Sequence, residues 1–328
     1  MRFLIVTALL GAFAGCLGGA DHPVETSDDA GQIEGRGEGK DNWWDSLPRA
    51  AWAAFDEIEQ SQSWYEVYEV EPGVFAIYEP GQFEEVISYL ILGAERALLF
   101  DTGLGIGDMR QVVSELTELE PIVINSHTHY DHVGGNHQFE DVRGTETAYT
   151  KRNARGRSHE QVAEFVGDGW IWKETPAGFE PDAYVSRPFT IARPLADGDV
   201  LDLGDRKIEV WLTPGHAPDA LCLIDRGNRL VFTGDTFYPA TLYSHLPGSD
   251  FGEYRETASR LATLADEIDT VLPAHNEPRI ASSTLVSMRD AFDAIASGGL
   301  DFVPSDGARE YAFEGFTILT PDPPPESN

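Results

Sequence analysis

A chain of 328 residues with a hydrophobic fraction of 41% and seven tryptophans holds enough apolar material for one or two domains and excludes a disordered polymer. Its 56 acidic residues stand against 23 basic ones, a net charge of -33, and only four of the basic residues are lysine. That balance excludes a nucleic-acid-binding surface, which needs a basic footprint. It reads as a halophile's surface, tolerable where molar salt shortens the screening length to about 3 Å.

In chain order, the first segment is "MRFLIVTALLGAFAGC", with one basic residue, an apolar run and small residues before Cys16. This is the anatomy of a secretory signal, too short for an ordinary membrane span. The small residues before Cys16 resemble a lipoprotein cleavage box, with Phe13 where such boxes usually carry leucine; the alternative is an ordinary cleaved signal. A lipid on Cys16 would anchor an exported protein to the outer face of the cytoplasmic membrane, the only membrane contact expected. Residues 17–45 read as an acidic, solvated tether, with Trp43 and Trp44 marking the return of core-forming residues. The folded domain is expected over 46–320, and the tail 321–328 is expected to be disordered.

A short helix is predicted near 47–60. Strand pairs follow in "YEVYEVEPGVFAIYE", broken at Pro72-Gly73, and "VISYLILGAERALLFDTG", broken near Gly93. Met109, Val112, Val113 and Leu116 share one face of a helix over about 107–119, and "PIVIN" is a short apolar strand. The second half repeats the alternation. "KIEVWLTPGH", "ALCLIDRGNRLVFTGD" and "TVLPAH" read as strands, and 250–268 and 281–297 as helices. The pattern predicts sheets covered by helices on their outer faces.

The chemistry gathers at strand ends. "SHTHYDH" after the strand at 121–125 carries His127, His129, Asp131 and His132. Three later strands end in "TPGH", "FTGD" and "LPAH", which deliver His216, Asp235 and His275. Rigid strands aim side chains at a common point. Five imidazoles and two carboxylates, with no thiolate among them, suit zinc. His127 and His129 can face one ion while Asp131 and His132, one turn later, face a neighbour. Two ions about 3.5–4 Å apart need a bridging group such as Asp235.

The His-x-His-x-Asp-His loop followed by His216, Asp235 and His275 resembles the metallo-β-lactamase fold hydrolases over roughly 64–280, and "LLFDTG" with Asp101 resembles the family's first motif. The resemblance implies an α/β (α+β) fold, a four-layer αβ/βα sandwich of two mixed sheets flanked by helices. It implies one zinc on His127, His129 and His216, a second on Asp131, His132 and His275, and Asp235 between them. A hydroxide between the two metals would attack a carbonyl. Relatives that use iron for oxygen or nitric oxide reduction carry glutamate where this chain has His129. The thiolate-containing β-lactamases carry cysteine where it has Asp235, and Cys222 reads as a core residue.

The candidate catalytic residues are Asp131 and Tyr238. The homoserine-lactone hydrolases of the family carry a tyrosine three residues after the bridging aspartate, as Tyr238 follows Asp235. Tyr238 either donates to a developing oxyanion or packs under the next loop. An ester or lactone is the substrate expected on that ground. β-Lactam and glyoxalase II-like thioester hydrolysis are alternatives, as is a metal-binding surface lipoprotein without turnover. Glyoxalase II relatives build a glutathione site from a basic C-terminal domain, where 281–328 offers only Arg289 and Arg309. In the long segment 155–195, Trp170, Trp172, Phe179 and Tyr184 either line an apolar pocket or form the segment's own core. His137, His159 and His245 read as surface residues or supports of the loop, and His22 falls in the tether.

Overall fold

The computed structural model describes residues 43–305 and 307–322. The expectations for Cys16, His22, most of the tether and the tail beyond 322 lie outside the described residues. Among the described residues, no helix is long and apolar enough to cross a membrane.

Two mixed sheets form the body. The first runs, edge to edge, through Glu66–Glu71, Val74–Tyr78, Ile87–Leu92, Ala97–Phe100, Pro121–Ile124, Val142–Gly144 and Arg193–Pro194. Its first four strands pair antiparallel, and its last three join in parallel. The second runs through Ile280–Ala281, Thr270–Pro273, Leu230–Gly234, Leu221–Asp225, Lys207–Leu212 and Val200–Asp202. Most strands are buried on both faces, which explains their nearly unbroken apolar runs.

Strand alternation sorts the core into layers. Tyr89, Phe100, Leu223 and Phe232 point between the sheets, where the Tyr89 and Phe232 rings meet edge to face at 5.4 Å. Leu90, Leu99 and Val123 point outward onto the helix Met109–Leu116 and the segment 162–191. On the far side, Cys222, Ile224 and Val231 pack under the helices Phe251–Ala262 and Ser283–Ser297. Helices cover both outer faces of the paired sheets, as expected for an αβ/βα sandwich. Asp108 and Asp250 cap two of the covering helices by accepting from the amides three residues on.

Three expectations need correction. In place of a helix over 47–60 there are short 3-10 turns at Trp43–Ser46 and Ala50–Ala54. The chain then extends, because Ile58 N–H donates to the Val67 carbonyl and joins the sheet edge. Residues 43–45 therefore belong to the ordered body, and the Trp44 ring stacks on Trp172 at 5.1 Å. At the other end, a third sheet orders Thr241–Tyr243, Phe316–Pro321, Ala308–Phe313 and Val303–Ser305. Pro321 closes its last long strand, and Asp322 pairs with Arg309 at 2.6 Å.

Candidate metal centre

The histidine loop begins where the strand Pro121–Ile124 ends, and a single short turn of helix, Tyr130–Val133, folds it back. His216 follows the strand Lys207–Leu212, Asp235 follows Leu230–Gly234 and His275 follows Thr270–Pro273. Two glycines allow the close approach. Gly215 lies at φ +144, and a Cβ there would fall 2.3 Å from Tyr254 Cα. Gly234, at φ +53, would drive a Cβ to 2.3 Å from the Ser126 Cβ beside His127.

All seven expected side chains converge, and all but His129 are almost wholly buried. Their donor atoms form three overlapping groups, His127/His129/His216, His127/His132/Asp235 and Asp131/His132/His275, each within 4.8 Å. Asp235 spans the set. Its Oδ2 faces His216 Nε2 at 3.5 Å and His127 Nε2 at 4.0 Å, while Oδ1 faces His275 Nε2 at 2.9 Å and His132 Nε2 at 3.2 Å. Asp131 Oδ2 stands 3.2 Å from His132 Nε2 and 3.8 Å from His275 Nε2.

Each ring is held from behind by its other nitrogen. His127 Nδ1 meets Ser126 Oγ at 3.0 Å, and His132 Nδ1 meets Asp101 Oδ2 at 3.0 Å. His216 Nδ1 lies 3.2 Å from the Tyr243 carbonyl and His275 Nδ1 lies 2.6 Å from that of Glu84. His129 is reversed, with Nε2 at 2.7 Å from the Tyr149 hydroxyl and Nδ1 facing His216 Nε2 at 3.2 Å. Outer partners of this kind fix the tautomer and leave the inward lone pair for a ligand. The inward atoms His127 Nε2, His132 Nε2 and Asp235 Oδ1 are buried and make no hydrogen bond of good geometry. Buried polar atoms left so are costly and mark a missing partner. Nitrogen and oxygen donors aimed at common points, with orphaned inward atoms, fit divalent cations such as zinc.

The electrostatics agree. Burial holds His127 and His129 well below the usual imidazole range. Burial also opposes protonation of His132, yet the charges of Asp131, Asp235 and Asp101 push it well above that range. Burial penalises the charge on Asp235, but His275, His132 and His127 hold its carboxyl well below the usual range. The site draws positive charge to itself.

Asp101, in the left-handed region at φ +66, accepts from Ser126 N–H at 2.7 Å while holding His132. Asn136, from "HVGGN", donates to Asn125 at 2.8 Å, and Asn125 donates to the His132 carbonyl at 2.7 Å. Tyr238 lies beside the centre, its ring 5.0 Å from that of His275, but its hydroxyl donates to the Thr241 carbonyl. Cys222 is buried, with Sγ 3.5 Å from Thr213 Oγ1. Trp170, Phe179 and Tyr184 belong to the core under the first sheet, and the Tyr184 hydroxyl donates to the Leu104 carbonyl at 2.8 Å. The aromatic segment is thus anchoring core. His137 and His159 bind the carbonyls of Gly134 and Tyr184 at 3.0 Å each. The His245 ring lies 5.9 Å from Tyr243.

Two supports escape sequence reasoning. Tyr149 sits on the helix Ala148–Asn153, and nothing in its neighbourhood marks it as a histidine partner. Asp219 Oδ2 accepts from Thr128 at 2.5 Å and Thr150 at 2.9 Å, and Asn153 donates to the Thr128 carbonyl at 3.0 Å, so this helix is stitched to the loop between His127 and His129.

Comparison with known proteins agrees with this geometry. The profile of the Metallo-beta-lactamase superfamily matches residues 83–275. The chain is similar to the acyl-coenzyme A thioesterase MBLAC2 of Gallus gallus, 30% identical over 227 residues, covering 65% of this chain and 80% of that protein. It is also similar to the hydroxyacylglutathione hydrolase of Maricaulis maris, 28% identical over 143 residues, 44% of this chain and 43% of that one. Among solved structures, the stereoselective inverting sec-alkylsulfatase Pisa1 from Pseudomonas sp. shares the fold, with a TM-score of 0.55 at 15% identity over 70% of this chain; the match spans 42% of the sulfatase. The chain belongs to the metallo-beta-lactamase superfamily.

Proposed function

We propose that this protein is a metal-dependent hydrolase of an acyl thioester. The observation that carries the hydrolase reading is the convergence of seven side chains with outward nitrogens tied and inward atoms orphaned. His127, His129 and His216 would hold one ion and Asp131, His132 and His275 a second, with Asp235 within reach of both groups. Zinc fits the donor set best. When bound, such a pair supplies Lewis acidity toward a carbonyl and acidifies water.

The chain's own residues do the rest. Asp101, Ser126 and Tyr149 and the carbonyls of Tyr243 and Glu84 hold the five imidazoles in place, which spares reorganisation during reaction. Asp131 is proposed to take a proton from the attacking water. Water adds to the carbonyl carbon, the carbon–sulfur bond breaks, and an acid and a thiol leave. The Tyr238 hydroxyl donates to the Thr241 carbonyl, so its position lends the lactone reading no support. The relatives support a thioester instead, since the named substrates of both are acyl groups carried on a thiol. Export and lipid attachment at Cys16 remain part of the proposal on the sequence of residues 1–16.

The test is thiol release from acyl-coenzyme A and acyl-glutathione by zinc-loaded protein, beside lactone and β-lactam controls and the double variant Asp131→Ala/His132→Ala. Release lost in the double variant supports the reading. Turnover of lactones alone would replace the thioester, and no turnover of any carbonyl substrate would leave a metal-binding protein without hydrolysis.

A further inference from the structure

Most cations of this acidic chain are committed to carboxylates. Arg49 pairs with Glu85, Arg110 with Glu120, Arg206 with Asp225, and Arg226 with both Glu209 and Glu267. Lys151, Arg152, Arg155, Arg157 and Arg187 depart from that rule. Among the described residues their side chains take part in no ion pair or hydrogen bond. At a net charge of -33, a run of neighbouring cations without a carboxylate partner stands out. Arg96, Arg193 and Lys207 are unpaired too, but the first two act on Asp141 and Lys207 opens a strand of the second sheet.

Arg152 and Arg157 are tied to the metal centre, and the other three are their neighbours in the chain or across one backbone bridge. Lys151 and Arg152 sit on the helix Ala148–Asn153, and Arg155 follows it. Arg157 N–H donates to the Ser186 carbonyl at 2.8 Å, so Arg187 is the next residue along the paired segment, and its charge is felt at His137 behind the histidine loop. The Arg152 guanidinium lies over the Tyr149 ring at 4.7 Å, and the Tyr149 hydroxyl touches His129. The charge of Arg157 is felt at His129, Tyr149 and Tyr184. Lys151, Arg152, Arg155 and Arg187 are exposed and Arg157 is half-buried.

We propose that this basic patch docks the phosphate-bearing carrier of the substrate, an acyl thioester of a nucleotide-containing thiol such as coenzyme A. The inference rests on the thioester reading and adds the carrier's chemistry. The field of the whole chain repels a multiply charged anion, so such a substrate needs a local cationic landing beside the centre. Four of the five are arginines, whose planar forks grip phosphate oxygens in pairs. Direct contacts of that kind survive where salt screens diffuse attraction. The patch also supplies the basic anchor that 281–328 lacks.

The test uses zinc-loaded protein and a triple variant, Lys151→Gln/Arg155→Gln/Arg187→Gln, with Arg155→Gln alone should the triple variant not fold. Coenzyme A binding is read by calorimetry. Hydrolysis is compared for one acyl group carried on coenzyme A and on uncharged pantetheine. The proposal expects the triple variant to bind coenzyme A at least tenfold more weakly and to lose at least tenfold of its preference for the coenzyme A thioester; for the single variant, the expected loss is about threefold in each. Equal binding by variant and parent overturns it. Hydrolysis of acyl-pantetheine by a parent that does not bind coenzyme A also overturns it, while leaving the thioester reading intact. Coenzyme A bound through the patch with no thioester cleaved leaves the phosphate site standing and removes the thioester reading.

Discussion

The Tyr149 hydroxyl stands 2.7 Å from His129 Nε2, while Nδ1 of the same ring faces His216 Nε2 at 3.2 Å. A phenol on a helix beyond the loop therefore decides which nitrogen His129 turns toward its neighbours. Tyr149→Phe keeps the ring that packs against Gly248 and Arg152 and removes that contact together with the hydroxyl's hydrogen bond to Asn153. We expect zinc to be held about 10–100-fold more weakly, the usual effect of losing an outer partner. Competition with a chelator of known affinity measures it; unchanged affinity would show that the contact does not orient the ring.

Gly215 sets the approach of His216. Alanine there meets Tyr254 at 2.3 Å and must hold φ +144, which L side chains rarely adopt. Strain and overpacking of this kind cost about 2–4 kcal/mol. Urea unfolding of Gly215→Ala measures the loss, and a loss below about 1 kcal/mol would mean that the turn relaxes freely.

Glu79 is buried beneath the centre, accepting from Trp64 Nε1 at 2.7 Å and from Leu104 N–H at 3.0 Å. Burial outweighs those bonds and raises its carboxyl from 4.5 to about 7. A raised folded value means that the folded state holds its proton more tightly than the unfolded chain. The stabilisation is fully present below about pH 4.5 and is lost as pH rises through about 7, by about 3 kcal/mol in all. Glu79→Gln cannot ionise. Relative to that variant, the parent should therefore lose stability between pH 4.5 and 8. Parallel melting curves across that range would contradict the assignment.

Burial pushes the Cys222 thiol up to about 11. A thiol kept protonated and enclosed is inert. In a chain with Cys16→Ser, a thiol-specific reagent at pH 8 should label Cys222 only as the protein unfolds. Rapid labelling of the folded protein would place it at an accessible surface.

Much of the centre was legible because its donors stand in short motifs at strand ends. His127, His129, Asp131 and His132 fall within one loop, and "TPGH", "FTGD" and "LPAH" each close an apolar strand. Asp101 stood out through "LLFDTG", but the other supports were not legible, for physical reasons. The Glu84 and Tyr243 groups that hold His275 and His216 are backbone carbonyls, which any residue supplies. Tyr149 and Asp219 reach the loop through tertiary packing. Sheets covered by helices followed from hairpin breaks and apolar runs, and their number, two, from the family resemblance. The third sheet did not, because Thr241–Tyr243 and Val303–Ser305 are three residues each and carry too short a pattern to show a period. Tyr238 shows the limit of reading a role from an offset: its ring lies where the offset implies, and its hydroxyl points to Thr241.

Metal stoichiometry tests the seven-residue centre most directly. Elemental analysis of zinc-loaded parent protein after gel filtration should find two ions per chain. Asp131→Ala/His132→Ala should retain one, held by His127, His129 and His216. A parent chain that keeps no metal, or a double variant that keeps both ions, would contradict the centre.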